Sequence, residues 1–465
     1  MSGQAQFSDS GNIRTKTPPY LELAATMEDQ IRTGQFAPGS RLPAQRELAQ
    51  KLGLNLSTVA RAYRELQHRK LVVGSTRRGT IVTGMSTNWP ATVAPSAEGR
   101  VIDLTVNRPA VDDFLERLAD TLPRLGDDPR FRQLQDYQPP EGASWARMAG
   151  QRWIALNGFE PALEDIVVTS GGQHGLFAVM SGFVGAGDVV VADSMTYYGL
   201  KALAQMLQFT IVGIGSDDEG LSAAEFEKVC RQHPVKAIFV VPCLQNPTVV
   251  TMSADRRAAI VEIARRHKVL IIEDDVYGPM LEKRPPAIVT LAPEITFYIA
   301  STSKVLAPGL RVGFLLAPPG RAPVIAEAVR DTAWMPAPLS CLVTTRWIED
   351  GTALRILDAQ RDELKARNQL VRDILAGLQF NSDPVCMFIW LFLPPPWRSD
   401  DFAANLSARG VRVLPAASFA SDRAATEHAV RINLGCARSR EELATALRIV
   451  ADTLAERPKA LARSA

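Results

Sequence analysis

A chain of 465 residues is longer than one ordinary domain, so two or three are expected. Its hydrophobic content of 46% and charged content of 22% are those of a soluble globular protein with large cores. Residues 1–85 hold 12 Lys/Arg against 6 Asp/Glu, a surplus of +6, so the rest carries −4 of the total +2, and the basic first part is suited to a polyanion.

The first twenty residues, "MSGQAQFSDSGNIRTKTPPY", lack the apolar run of a signal peptide, and a cytoplasmic location is the expectation. Tyr20, Leu23, Met27 and Ile31 recur at helical spacing and predict a first amphipathic helix. Gly34, Pro38, Gly39 and Pro43 break the chain after it. A second helix is predicted from about Ala44 to Leu52, with Gly53 as its C′ residue. Asn55 or Ser57 can cap a third, whose core face is Val59, Ala62, Tyr63 and Leu66. "LVVGSTRRGTIVTG" then reads as two short strands around a basic turn.

Three helices and a basic hairpin make a winged helix-turn-helix. Such a motif lays the start of its recognition helix in the major groove, where Ser57, Thr58 and Arg61 would lie. Arg46 is placed for phosphate, and Arg77 and Arg78 in the wing for the backbone or the minor groove. The alternative, a small helical domain with a solvated basic face, does not account for the agreement of helix spacing, turn and wing. This stretch resembles the DNA-binding domain of GntR-type regulators through Ile31, Gly34, Pro38, Gly39, Leu42, Pro43, Arg46, Leu48, Ala49, Leu52, Gly53, Thr58, Val59, Ala62, Tyr63 and Leu66. It departs at Leu56, where that family usually has arginine.

Residues 84–100, "GMSTNWPATVAPSAEGR", have no apolar period and read as a linker between a domain at 1–83 and another at 101–465. Beyond it, "DIVVTS", "DVVVAD", "FTIVGI", "KAIFVVP", "VLIIEDD", "TFYIAS" and "VGFLLA" alternate with helical stretches. Continuous apolar strands of this kind predict an α/β domain with a mainly parallel sheet covered on both faces. From about 322 to 465, long helices and the strands "CMFIWLFL" and "HAVRINLG" predict a smaller α+β subdomain. The most apolar window, "GLFAVMSGFVGAGDVVVA", is broken by glycines and Asp188 and is no membrane span. Cys230, Cys243, Cys341, Cys386 and Cys436 are scattered without a CxxC pair, which fits neither a zinc site nor a disulfide framework.

In parallel sheets ligands bind beyond the carboxyl ends of the strands, and four polar stations fall there. "TSGGQHGL" offers the amides of Gly172 and Gln173 at a helix start, and "VPCLQNPT" offers Asn246. "IIEDDVYG" offers Asp274 and Tyr277, and "STSKVLAPGLR" offers Ser301, Ser303, Lys304 and Arg311. Taken singly, a glycine pair is as often a turn, and an Asp pair a metal site or loop cap. Together they describe a pocket for pyridoxal 5′-phosphate. Lys304 forms a Schiff base with the aldehyde. Asp274 faces the ring nitrogen. Tyr277 and Asn246 serve the ring oxygen. Gly172, Gln173, Ser301, Ser303 and Arg311 hold the phosphate.

Residues from about 101 onward resemble fold-type I aminotransferases, through Ser301, Ser303, Lys304, Pro308, Gly309, Arg311 and Gly313 and through Asp274, Asp275 and Tyr277. The resemblance implies that Tyr197 stacks on the cofactor ring and that Tyr137 reaches the phosphate of a neighbouring subunit. It also implies that Arg431 grips an α-carboxylate, although an arginine so placed otherwise reads as a strand-edge surface charge. Val249 stands where the family usually has glycine. Almost the whole chain is similar to the MocR family of transcriptional regulators. That similarity implies a head-to-tail homodimer on double-stranded operator DNA, with no membrane partner. Such a dimer senses pyridoxal phosphate or a small amino-group effector through Lys304. An aminotransferase that turns over while carrying a DNA-binding domain remains the alternative, as does a large domain serving only as a dimerisation scaffold.

Overall fold

In the computed structural model, described over residues 19–32, 36, 42–68, 71–75, 79–82, 101–111, 113–421 and 427–456, the chain divides into two units, Met1–Trp89 and Pro90–Ala465. The first unit opens with α1 (Pro19–Arg32), which buries Leu23, Met27 and Ile31 along one face. Helix α2 (Gln45–Leu52) stops at Gly53, whose φ of 63° lets its N–H turn back to the carbonyls of Ala49 and Gln50. In α3 (Leu56–His68), Val59, Ala62, Tyr63 and Leu66 are all buried, and the Tyr63 hydroxyl donates to the Pro43 carbonyl at 2.7 Å. Of the two capping candidates, Asn55 holds the position before the helix, and its carbonyl accepts from the Thr58 and Val59 amides. Ser57 is already inside the first turn. Strands β1 (Val72–Ser75) and β2 (Gly79–Val82) pair antiparallel as the wing. Arg77, Arg78 and the linker at 84–100 lie outside the described residues.

The second unit begins with β3 (Ile102–Asp103) and the helices α4 (Phe114–Leu125) and α5 (Ser144–Ala155). All seven apolar runs form strands of one sheet: β4 (Ile166–Thr169), β5 (Val189–Asp193), β6 (Thr210–Ile214), β9 (Val235–Val240), β10 (Leu270–Asp274), β11 (Thr296–Ser301) and β12 (Gly313–Leu316). A small hairpin, β7 (Ser216–Asp217) and β8 (Gly220–Leu221), interrupts the series after β6. The sheet order is β4-β12-β11-β10-β9-β5-β6, parallel throughout except that β12 runs against both of its neighbours. Strands β4, β11 and β12 are buried at every position, as expected where helices such as α6 (Gly172–Phe183) cover the faces.

Three helices, Ala322–Ala333, Pro338–Glu349 and Thr352–Ile374, lead to a second sheet of β13 (Phe380–Asn381), β14 (Phe388–Phe392), β16 (Leu414–Pro415) and β17 (Ala429–Asn433). Its order, β13-β14-β17-β16, puts β17 between two partners. Strand β15 (Val411–Arg412) pairs in parallel with β3, Val411 opposite Ile102. The smaller subdomain therefore recruits residues 101–111 as a strap, beyond the span of about 322–465 read from the sequence. A pairing over some 300 residues leaves no local periodicity to read.

Candidate functional site

The reversed direction of β12 organises the site. Gly313 starts that strand beside Ser301, the last residue of β11, and beside Thr169, the last of β4. Arg311, two residues earlier, is thereby set among the carboxyl ends of the parallel strands. Its backbone holds a left-handed φ of 53°. Its guanidinium donates to the Ser170 carbonyl at 3.0 Å and reaches the Ser303 hydroxyl at 3.5 Å. Gly171, at φ 86°, precedes α6, and a Cβ there would lie 2.6 Å from the guanidinium. Glycine is what lets the arginine lie against the helix start. Gly172 and Gln173 form the first turn of α6, where backbone amides lack intrahelical acceptors. With buried Ser301 and Ser303 beside them, these donors form a cradle for a phosphate-sized anion.

Lys304 is half-buried, and its amine donates to the Asn107 carbonyl at 3.0 Å. Burial pushes the amine down to about 8; the positive charges of Arg431 and Arg311 act in the same direction, and Asp274 opposes them. Asp274 is buried and pushed up to about 7, by burial first and by the neighbouring Asp275 second. Its Oδ1 has no hydrogen-bond partner. Asp275 is different: Arg284 pairs with it at 2.7 Å and the Tyr298 hydroxyl donates to it at 2.7 Å. Asp275 Oδ1 also has no hydrogen-bond partner, but the Arg284 guanidinium already answers the charge of that carboxylate, whereas Asp274 has no ion pair among the described residues.

The Tyr277 hydroxyl accepts from Asn107 Nδ2 at 2.8 Å and lies 3.5 Å from Asn246 Nδ2. Tyr197 is half-buried against Tyr198, with ring centroids 4.9 Å apart, and burial holds its phenol well above the usual range. Gln173 Nε2 donates to the Gly199 carbonyl at 3.3 Å, tying α6 to the turn that carries Tyr197.

Arg431 is fully buried, which overturns the strand-edge surface reading. It sits on the central strand β17, opposite Trp390 on one side and Leu414 on the other. Its Nη1 donates to Asn246 Oδ1 at 2.7 Å and its Nη2 to the Thr105 carbonyl. Its guanidinium lies 5.5 Å from the Phe388 ring centroid and 5.0 Å from that of Phe419. Nε has no partner. A buried guanidinium with a spare donor is suited to an anionic group. Tyr137 stands apart, 79% exposed and tilted against Trp334 with centroids 5.6 Å apart.

The strap is not legible in the sequence. Asn107 touches Lys304 and Tyr277, Thr105 touches Arg431, and Asn433 Nδ2 donates to Asn107 Oδ1 at 2.8 Å. "TVNRP" carries no signal of its own; only β3 pairing with β15 brings it in. Val249, buried at φ 70°, holds a conformation ordinarily left to glycine.

In the first unit Arg46 and Ser57 are exposed and Thr58 is half-buried. Arg61 is exposed with its guanidinium 4.5 Å from the Tyr20 ring centroid, and Leu56 is 44% exposed at the start of α3. Among the described residues no His/Cys/Asp/Glu group could hold a metal, and no helix is long and apolar enough to cross a membrane.

The unpartnered Asp274 oxygen and the glycine-lined anion cradle fit pyridoxal phosphate, a cationic ring bearing a phosphate. Residues 99–450 match the family model for class I and II aminotransferases, and residues 19–82 match that for bacterial regulatory proteins of the gntR family. An uncharacterized HTH-type transcriptional regulator of Bacillus subtilis (strain 168), YdeF, is 29% identical over 94% of this chain and 94% of its own length. The HTH-type transcriptional regulator TauR of Rhodobacter capsulatus is 26% identical, covering 85% of this chain and 88% of its own. Among solved structures, a kynurenine aminotransferase of Pyrococcus horikoshii, in complex with PMP and substrates, superposes with a TM-score of 0.72. It is 25% identical, over 78% of this chain and 93% of that one.

Proposed function

This chain belongs to the class I and II aminotransferase family, and on that premise, with a gntR-family module ahead of it, we propose that it is a pyridoxal-phosphate-dependent transcriptional regulator of the MocR type. The helix-turn-helix unit binds double-stranded DNA. Arg46, Ser57, Thr58 and Arg61 meet it, together with Arg77 and Arg78 of the wing. The large unit senses pyridoxal phosphate itself or a small amino-group metabolite. The observation that carries this reading is Lys304. Its amine is held near 8 and so is unprotonated often enough at neutral pH to react, beside a carboxylate with a free oxygen, in a chain that also carries a DNA-binding module.

Bound there, pyridoxal phosphate supplies an aldehyde that condenses reversibly with amines and a protonated ring that withdraws electrons. Lys304 offers the protein's own amine. Asp274 keeps the proton on the ring nitrogen, regaining its negative charge beside that cation. Tyr277 and Asn246 hold the ring oxygen, and Tyr197 stacks on the ring face. Gly172, Gln173, Ser301, Ser303 and Arg311 fix the phosphate. Arg431 receives the carboxylate of an amino-acid effector. Exposed Tyr137 completes the phosphate site of a second copy in a head-to-tail homodimer.

The test is binding of the full chain to DNA upstream of its own gene, with pyridoxal phosphate and a panel of amines and amino acids. Expected is a ligand-dependent change in affinity that Lys304→Ala abolishes. DNA binding indifferent to the whole panel would overturn the sensing role. Multiple-turnover transamination in the same preparation would favour the enzyme alternative.

A further inference from the structure

Residues 101–111 run between the two sheets of the large unit. On one side they are tied to the smaller subdomain. The Ile102 amide donates to Gly410 at 2.8 Å, and the Leu104 amide to Arg412 at 2.9 Å. The Asn433 amide donates to the Leu104 carbonyl at 3.0 Å, and Arg431 to that of Thr105. On the other side Asn107 reaches two groups of the cofactor site. It is 4% exposed, and all three of its side-chain and carbonyl polar groups are engaged. Its carbonyl accepts from Lys304 Nζ at 3.0 Å, its Nδ2 donates to the Tyr277 hydroxyl at 2.8 Å, and its Oδ1 accepts from Asn433 Nδ2 at 2.8 Å.

We propose that Asn107 is a positioning residue that docks the strap onto the uncommitted Lys304 amine and onto Tyr277, so that the strap registers whether Lys304 is free. The inference rests on the reading of Lys304 as the cofactor-bearing lysine. A free ammonium or amine has donors to spare for the Asn107 carbonyl. A nitrogen committed to the cofactor cannot make the same donation, so the strap loses one of its two holds on the large sheet. The second hold has a direction. By donating to the Tyr277 oxygen, Asn107 occupies a lone pair there and leaves the hydroxyl proton to be given elsewhere, which is what a tyrosine serving the ring oxygen needs. The strap also follows directly, along the chain, on residues 83–100, which lead from the helix-turn-helix unit.

The experiment is hydrogen exchange on the full-length, cofactor-free protein, read in peptides spanning 101–111. Lys304→Met keeps the bulk of the stem and removes the donors. It is expected to speed strap exchange about threefold or more while the core strands β10 and β11 stay unchanged. Asn107→Ala, which keeps the carbonyl that Lys304 meets but removes the side-chain bonds to Tyr277 and Asn433, should do the same, and the double variant should exceed the larger single effect by little, because both holds fall on one residue and losing either loosens the other. Should Asn107→Ala fail to fold, Asn433→Ala removes the support of Asn107 from the opposite side and takes its place. After loading with pyridoxal phosphate, Asn107→Ala should also shift the position of the visible band, since Tyr277 has lost its donor. Unaltered strap exchange in Lys304→Met, additive effects in the double variant, or an unmoved band would each sink the proposal. A complete lack of any Lys304-dependent band in wild type instead removes the cofactor reading. The exchange measurement, made without cofactor, is independent of that outcome.

Discussion

Arg431 Nη1 donates to Asn246 Oδ1 at 2.7 Å, and this single bond joins the central strand of the smaller sheet to the loop that follows β9 of the larger one. Neither residue is at the surface: Arg431 is 0% and Asn246 4% exposed. A charge buried this completely must be answered by acceptors, and those present leave Nε over.

Arg431→Gln is therefore expected to weaken amino-acid effectors selectively. Losing a charge-assisted contact to a carboxylate costs roughly 1.5–3 kcal/mol, or about 10- to 100-fold in affinity. Amines without a carboxylate should bind as before. Spectroscopic titration of the pyridoxal-phosphate-loaded protein with matched amine and amino-acid pairs measures both.

Asp274 illustrates a trade between stability and binding. In the cofactor-free protein its carboxyl is raised from an ordinary 3.8 to about 7, because burial and Asp275 disfavour the charge. Between those values the folded state holds a proton that the unfolded state has released, so stability falls as pH rises through the window. Asp274→Asn should stabilise the cofactor-free protein at pH 7 by roughly 1–3 kcal/mol, a few degrees in Tm, and by nothing at pH 4. The same variant should bind pyridoxal phosphate less tightly. Thermal melts at the two pH values, with and without cofactor, check both halves.

The Lys304 amine, held at about 8, predicts how cofactor capture depends on pH. Only the unprotonated amine attacks an aldehyde, so the rate should rise tenfold per pH step below about 8 and level off above it. An ordinary exposed lysine would keep climbing to about 10.4. Stopped-flow absorbance after mixing apo protein with pyridoxal phosphate distinguishes the two, and Lys304→Ala should show no visible band at all.

Gly171→Ala should lose the phosphate cradle. At φ 86° and ψ 170° the backbone suits glycine alone, and the new Cβ would meet Arg311 Nη2 at 2.6 Å. A destabilisation of about 1–3 kcal/mol is expected, with a larger loss in affinity for pyridoxal phosphate than for phosphate-free pyridoxal. Calorimetric titration with both vitamers reads the difference.

Arg46→Ala and Arg61→Ala should each reduce DNA affinity and lower the steepness of its salt dependence by about one counterion where the side chain meets phosphate. The cofactor spectrum should not move. Gel-shift or anisotropy titrations across a salt series, alongside absorbance spectra, make the comparison.

Much of this was legible in the order of residues. Helical spacing in 19–68 and the continuous apolar runs of the large sheet are short-range patterns, set by which side chains must leave water together. The stations carrying Lys304, Asp274 and Arg311 lie at strand ends, and strand ends can be read from where apolar runs stop. Three things waited for the tertiary structure. The antiparallel course of β12 sets Arg311 beside the start of α6. The central place of β17 turns Arg431 from an apparent edge charge into a buried one. The pairing of β3 with β15 brings Asn107 to Lys304. Each depends on contacts between segments far apart in the chain, where partner choice rests on hydrogen bonds and packing that neither segment's own residues encode.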